Sequence, residues 1–287
     1  VVVTAQIREQ SLQDVPISVS AVDGEVIEDR SVDNLQSLSA SVPNFYVAET
    51  QIDTTISIRG VRSGANKGFE QSVPLNFDGI TYPRSQLART PLVDLERIEV
   101  LRGPQPTLFG KNAIGGVVSV TSAKPTEEFE GKFSTSHESE HDESQSLLVL
   151  SGPLSDNLLG RLTVSTREMD GWITNERMKR VEPQRDETYL RGQLAWTSGN
   201  VDWNLKVESA DFDSVGYAME ALAPQDGYSL IFAGPIAVET TENWVRSSGE
   251  TFSQNTMDNF VLTSNYPMDS GGTLTTILGH VEYDSYE

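Results

Sequence analysis

The sequence predicts an α+β domain over residues 1–124, followed over residues 125–287 by long antiparallel strands of the kind that cross a membrane. Three observations predict this. Short apolar runs, helix caps and turn dipeptides fill the first part. From Phe129 onward the period is two, with no convincing helix. The links between the later strands alternate between tight turns and long polar segments. Charge divides at the same place: residues 1–124 carry 11 basic and 14 acidic residues, net −3, and residues 125–287 carry 10 and 28, net −18. Parts so differently charged have different surroundings.

In chain order, Val15–Val19 reads as a strand that Pro16 pushes towards an edge. Ser31 can cap a helix in which Leu35 and Leu38 share a face, and Pro43 follows its end. Ile56–Ile58 and Pro74–Phe77 are short strands, and Asp78-Gly79 before Ile80 is a hairpin turn. Arg97–Leu101 and Gly116–Thr121 are strands flanking a segment rich in glycine and proline. That segment is no phosphate cradle. Six residues separate Gly103 from Gly110, Asn112 stands where a hydroxyl would follow Lys111, and Pro104 and Pro106 remove backbone donors. Its glycines serve tight turns and close backbone contacts.

Seven strands follow, near 129–139, 143–151, 158–169, 187–197, 201–212, 256–266 and 273–284. Val201, Trp203, Leu205 and Val207 alternate with Asp202, Asn204, Lys206 and Glu208. Each run reaches the roughly 9–11 residues of a tilted membrane-crossing strand. GPLSDN, TSGN and PMDSGG are tight links, and 170–186 and 213–255 are long ones. Short turns at one end and long loops at the other is the layout of an outer-membrane barrel.

Composition excludes several functions. A net charge of −21 opposes nucleic-acid binding, and the absence of cysteine excludes disulfides and cysteine-based metal sites. No apolar run approaches the roughly 18 residues of a spanning helix. The chain opens on VVVTA without a secretion signal, so a leader was removed or lies upstream. His137 and His141 would share a face of a helix, but on a period-two segment they stand about 13 Å apart and read as a polar extracellular loop. Asp211–Gly216 opens like a calcium loop but lacks the third oxygen ligand at Val215 and the closing glutamate. No Gly-x-Ser-x-Gly elbow occurs. The chain is expected to be no enzyme and to need no metal or cofactor.

Several motifs in the first part stand in a recognisable order: Leu12-Gln13-Asp14-Val15-Pro16-Ile17, Ile58-Arg59-Gly60, Asn76-Phe77-Asp78-Gly79, Arg102-Gly103-Pro104, Leu108-Phe109-Gly110 and Ala113-Ile114-Gly115-Gly116. Together they resemble the plug domain of TonB-dependent outer-membrane receptors. Pro106 departs from the pattern, standing where a small residue is commoner. The later strands match by architecture alone. The resemblance implies a plug (1–124) inside a 22-stranded barrel, of which residues 125–287 form the first seven or so strands. Those 287 − 124 = 163 residues give roughly 23 per strand, so a full wall needs on the order of 500. The chain is therefore expected to be the N-terminal portion of a longer receptor in the outer membrane of a Gram-negative bacterium, its N-terminus periplasmic.

The resemblance also implies roles. Val1, Val2, Val3, Thr4 and Ala5 read either as a first plug strand or as the TonB box, which pairs with TonB by strand addition. Arg59 and Arg102 would face wall glutamates beyond this chain, the alternative being solvated arginines. The apical loops 63–72 and 82–90 offer Lys67, Phe69, Gln71, Tyr82 and Arg84 as ligand contacts, cations and aromatics suiting an anionic, partly aromatic ferric chelate. The implied activity is energy-coupled import of a scarce nutrient, a ferric siderophore first. Cobalamin or carbohydrate uptake and a non-transporting surface sensor are the alternatives.

Overall fold

The computed structural model describes residues 2–3, 10–11, 13, 15–30, 32, 34–49, 54–63, 68, 70–82, 84–216, 245–246 and 249–287. β1 (Val2–Val3) pairs antiparallel with β2 (Gln10–Ser11). β3 (Val19–Asp23) leads directly into α1 (Gly24–Asp29), so the first predicted strand lies a few residues later than expected. α2 (Leu35–Ser39) buries Leu35 and Leu38 as expected. Its cap is Asn34, whose side-chain oxygen accepts from the Ser37 N–H at 2.8 Å while Ser37 bonds back. The predicted cap, Ser31, lies outside the described residues. β4 (Phe45–Glu49), β5 (Thr54–Ile58) and β6 (Val61–Arg62) form a three-stranded sheet.

β7 (Leu75–Phe77) and β8 (Ile80–Tyr82) form the predicted hairpin. Asp78 and Gly79 have φ of 47° and 87°, both left-handed, as a type I′ turn requires. β9 (Leu95–Arg102) and β10 (Gly116–Ser122) flank the glycine-rich segment, which holds the short α3 (Pro106–Phe109). The five-stranded sheet has the order β3-β9-β10-β7-β8, parallel only between β10 and β7. Gly116 shows why that segment needs glycine: a Cβ there would lie 2.2 Å from the Leu101 carbonyl oxygen.

The remaining sheet is a seven-stranded antiparallel meander: β11 (Glu130–Glu138), β12 (Glu143–Ser155), β13 (Leu158–Met169), β16 (Gln184–Ser198), β17 (Val201–Val215), β19 (Phe252–Pro267) and β20 (Thr273–Tyr286). All seven predicted strands are present, most of them longer than predicted. The two-residue turns 156–157 and 199–200 and the turn 268–272 lie at one end. The other end carries two long connections. The first holds β14 (Ile173–Asn175) and β15 (Arg180–Glu182), and the second holds β18 (Val245–Arg246), which pairs with β14. The histidine-rich stretch is not a loop of its own. His137 lies on β11, His141 in the turn at 139–142, its backbone N–H donating to Glu138.

The small sheet lies against one face of this wall. Ile98, Val100, Val118 and Val120 of β9 and β10 share a continuous apolar core with Tyr189, Ala210, Phe212 and Met257 of the wall.

Candidate functional site

Within that contact the wall presents charge. Arg161, Thr163, Arg191, Lys206, Glu208 and Asn259 sit at inward positions of β13, β16, β17 and β19. Arg191 and Lys206 are 1% and 2% exposed. Such charges persist in a buried place only when paired.

Two aspartates from the small sheet answer them. Asp94, at the entry to β9, and Asp78, in the hairpin turn, both have φ near +50°, a region that aspartate tolerates and most residues avoid. Asp94 takes Arg161 on both carboxylate oxygens, with Nε to Oδ2 at 2.8 Å. Thr163 donates its hydroxyl to the same Oδ2. Arg191 donates Nη2 to Oδ2 at 2.8 Å and to the Val93 carbonyl at 3.2 Å, and Nη1 to the Ser122 hydroxyl at 3.0 Å. Burial pushes the Asp94 carboxyl up, but the Arg161 bonds and the Arg191 charge outweigh it and hold the group at about 2.

Asp78 accepts from the Ser122 N–H at 2.9 Å and hydroxyl at 2.8 Å, and it pairs with Lys206. Here too burial raises the carboxyl and the Lys206 charge prevails, so the net shift is downward. Lys206 also holds Glu208 at 2.8 Å, Tyr189 donates to Glu208 Oε1 at 2.6 Å, and Asn259 donates to Glu208 Oε2 at 2.6 Å. The result is one chain of charge from Asp94 through Arg191 and Glu208 to Lys206 and Asp78. It crosses twice between the two sheets. Ser122, on β10, touches both halves.

The hairpin interlocks further. Ile80 seats over Gly279 and Ile277 over Gly79: a Cβ on Gly279 would lie 2.4 Å from Ile80 Cδ1, and one on Gly79 2.5 Å from Ile277 Cδ1. Beside this contact a cavity of about 490 Å³ opens between the sheets, bordered by polar residues such as Asn76, Thr121 and Asn204 and by apolar ones such as Phe109, Val261 and Ile277. Among the described residues no group of histidine, aspartate and glutamate could hold a metal ion.

The residues singled out from sequence fall in different places. Tyr82 is 2% exposed. Its hydroxyl accepts from Asn259 Nδ2 at 2.8 Å, and its ring lies 5.4 Å from Phe77, so it faces the wall rather than an open loop. Gln71 is buried and Arg84 is exposed. Lys67 and Phe69 lie outside the described residues, as do Val1, Thr4 and Ala5. Val2 and Val3 form β1. Arg59 donates to the Ser18 hydroxyl at 3.2 Å. Arg102 donates to the Ser20 hydroxyl at 2.7 Å and to the Pro43 carbonyl at 3.0 and 3.2 Å. Neither pairs with a carboxylate among the described residues. Burial and the nearby Arg59 charge together push Arg102 below its usual range.

Sequence reasoning missed Asp94, Arg161, Arg191 and Glu208. For Arg161, Arg191 and Glu208 the signal was present as charges in mid-strand, on the face opposite the leucines; Asp94, in the bend before β9, gave none.

A small mixed sheet docked on the charged face of an antiparallel meander, whose opposite face is apolar near the short turns, is the arrangement of a plug against part of a membrane-barrel wall. Residues 11–117 match the family model described as the TonB-dependent receptor plug domain, and that part of the chain is a plug domain of this family. It is similar to the iron-regulated outer membrane virulence protein of Vibrio cholerae, 34% identical over 182 residues, covering 59% of this chain and 28% of that protein. It is similar to the pesticin receptor of Yersinia enterocolitica, 29% identical over 218 residues, covering 74% and 31%. It superposes on the ferric yersiniabactin uptake receptor of Yersinia pestis with a TM-score of 0.72 at 23% identity, over 93% of this chain and 41% of that structure. The chain thus spans about a third or less of the length of these curated relatives.

Proposed function

We propose that this chain is the plug (1–124) and first seven wall strands (125–287) of an energy-coupled import receptor in the outer membrane, with a ferric siderophore as its substrate. The observation that carries this is the inversion of burial on the wall. Its charged face is covered by the plug, and its apolar face is left open for lipid. Among the described residues neither outer strand of the meander, β11 or β20, has a partner along its far edge, and lipid does not tolerate an open edge. Further strands, 22 in total, would close the barrel. Arg59 and Arg102, adjacent and without a carboxylate among the described residues, would then meet glutamates on those strands.

In this reading the N-terminus is periplasmic, and residues 1–5 are the segment that TonB engages by strand addition. The short turns then face the periplasm and the long connections the exterior. Ligand capture falls to the apical loops, with Lys67, Phe69, Gln71, Tyr82 and Arg84 as the proposed contacts, of which Arg84 is exposed and Gln71 and Tyr82 are buried. Iron is favoured because the names of two of these similar proteins refer to it. The test is growth of a strain lacking the full-length receptor on a panel of iron chelates, cobalamin and glycans. Loss of growth on a ferric siderophore alone is expected, and loss on cobalamin or a glycan alone would overturn the iron assignment. Deleting residues 1–5 should abolish uptake and leave ligand binding intact. Undiminished uptake would reject that segment as the TonB contact.

A further inference from the structure

The wall residues that meet the two aspartates form a grid. Register sets Arg161, Gln193 and Lys206 in one row across β13, β16 and β17, and Thr163, Arg191 and Glu208 in the next. The grid holds three cations and one carboxylate, so its charge is 3 − 1 = +2, and Asp94 and Asp78 of the plug bring the −2 that balances it. Towards the long connections the wall needs no such help. There Arg167 and Arg185 pair with Glu143 and Glu187 on its own strands.

The aspartates do not exhaust the grid. Arg191 is 1% exposed and its Nε has no hydrogen-bond partner; Gln193 is 5% exposed and its Oε1 has none either. Buried groups left unpaired in this way are uncommon in folded proteins. Gln193 and Lys206 also border the cavity of about 490 Å³, so the grid opens into free space between the sheets. The two sides of the contact differ in rigidity. The cations sit on strands paired along both edges. The aspartates hang on bends, Asp78 in a two-residue turn and Asp94 just before β9, and a bend can withdraw while the ladders beside it stay paired.

We propose that Asp94 and Asp78 are placeholders for the imported solute: the solute is an oxyanion, and as it parts plug from wall its carboxylate or phenolate oxygens take over the grid. This rests on the import reading. Removing the aspartates leaves a net positive patch in a buried seam, which is costly unless another anion arrives. The forked donors of Arg161 and Arg191 suit such oxygens, the unused Arg191 Nε adds one donor, and the Gln193 amide can turn its NH₂ towards them. An uncharged solute would leave the patch unbalanced throughout its passage.

Two measurements on the full-length receptor test this. In the first, Asp94→Gly removes one carboxylate at a φ of 52°, which glycine adopts freely, and Asp78→Gly repeats the test at a turn that two glycines also make. Each variant should lower the denaturant midpoint of unfolding. Sodium formate should restore at least half of the shift, and neither formamide nor sodium chloride at equal ionic strength should do so. Failure of formate in both variants overturns the proposal. In the second, cells that depend on this receptor for iron are given a trianionic ferric tris-catecholate, ferric citrate or an uncharged ferric tris-hydroxamate. Growth is expected on the anionic complexes only. Gln193→Glu alters a side chain whose oxygen has no partner, yet it cancels one charge of the grid. It should slow uptake of the accepted complex at least tenfold, with the heat-modifiable folded band on gels reporting that the barrel still forms. Receptor-dependent growth on the uncharged complex, or unchanged uptake by Gln193→Glu, overturns the proposal and leaves the import reading standing. No receptor-dependent growth on any of the three defeats the iron reading, and the formate result then decides the grid alone.

Discussion

The two faces of the wall obey opposite rules although they share every strand. Arg191 is 1% exposed and its neighbour Leu190 is 47% exposed; Lys206 is 2% exposed and Val207 is 50%. In a water-soluble sheet the leucine would be the buried one. The charged face here is completed by Asp94 and Asp78 of the plug, while the apolar face has no protein partner among the described residues. Alternation alone therefore does not say which face is core. The partner of each face decides it, and each prediction below breaks one face and leaves the other intact.

The largest effect belongs to the inner face. Arg191→Ala removes the cation that Asp94 and Glu208 share and leaves each with one other, Arg161 and Lys206, so the loss should approach but not exceed the roughly 3–5 kcal/mol of breaking a buried pair outright. Denaturant unfolding of the refolded full-length receptor, with protease cutting of the plug as a second readout, should show that loss. Arg191→Lys should not restore it, because a point charge cannot reach Asp94, the Val93 carbonyl and Ser122 together. A loss below about 1 kcal/mol, in the range of exposed ion pairs, would show that Arg191 adds little to the join of plug and wall.

The outer face should answer next. Leu162→Arg places a cation on the open side of β13 beside Thr163, which is fully buried on the other. Lipid-facing arginine near the bilayer midplane costs about 2–4 kcal/mol. The cost should appear in folding into liposomes and shrink in detergent micelles. Equal cost in both media would mean that the outward face contacts protein.

How much of this was legible beforehand follows from range. The hairpin at Asp78-Gly79, the two strands around the glycine-rich segment and all seven wall strands come from local signals: turn dipeptides, period-two alternation and the plug motifs. α1 was missed because its six residues have too few turns to show a helical period. The site was illegible for a different reason. Asp78 reads as an ordinary turn residue and Asp94 as a loop residue until the fold sets them 128 and 67 residues away in sequence from Lys206 and Arg161. Tyr82 looked like a loop aromatic. Only the tertiary placement of Asn259 shows where its hydroxyl goes.

The interlock of the hairpin with β20 gives a smaller effect and a way to separate shape from charge. Gly279→Ala drives a methyl into Ile80, and overpacking of this kind costs about 1–3 kcal/mol, less where a side-chain end can swing aside. Adding Ile80→Ala should recover most of it. A double-mutant cycle in the same unfolding assay measures the coupling. Additive losses would mean that the two residues do not touch in the folded receptor.

At neutral pH the smallest effect is that of pH itself, a non-event over most of the scale. Asp94 is held at about 2 in the folded protein, whereas an unfolded aspartate titrates near about 3.9. A carboxyl depressed on folding contributes stability that is complete above its unfolded value and vanishes as pH falls through its folded one, here about 2–3 kcal/mol in all. Unfolding free energy attributable to this contact should stay level from pH 8 to about 5 and drop between about 4 and 2. Comparing the native receptor with Asp94→Asn isolates that contribution. A difference between the two that already declines between pH 7 and 5 would place a group other than Asp94 in control of the contact.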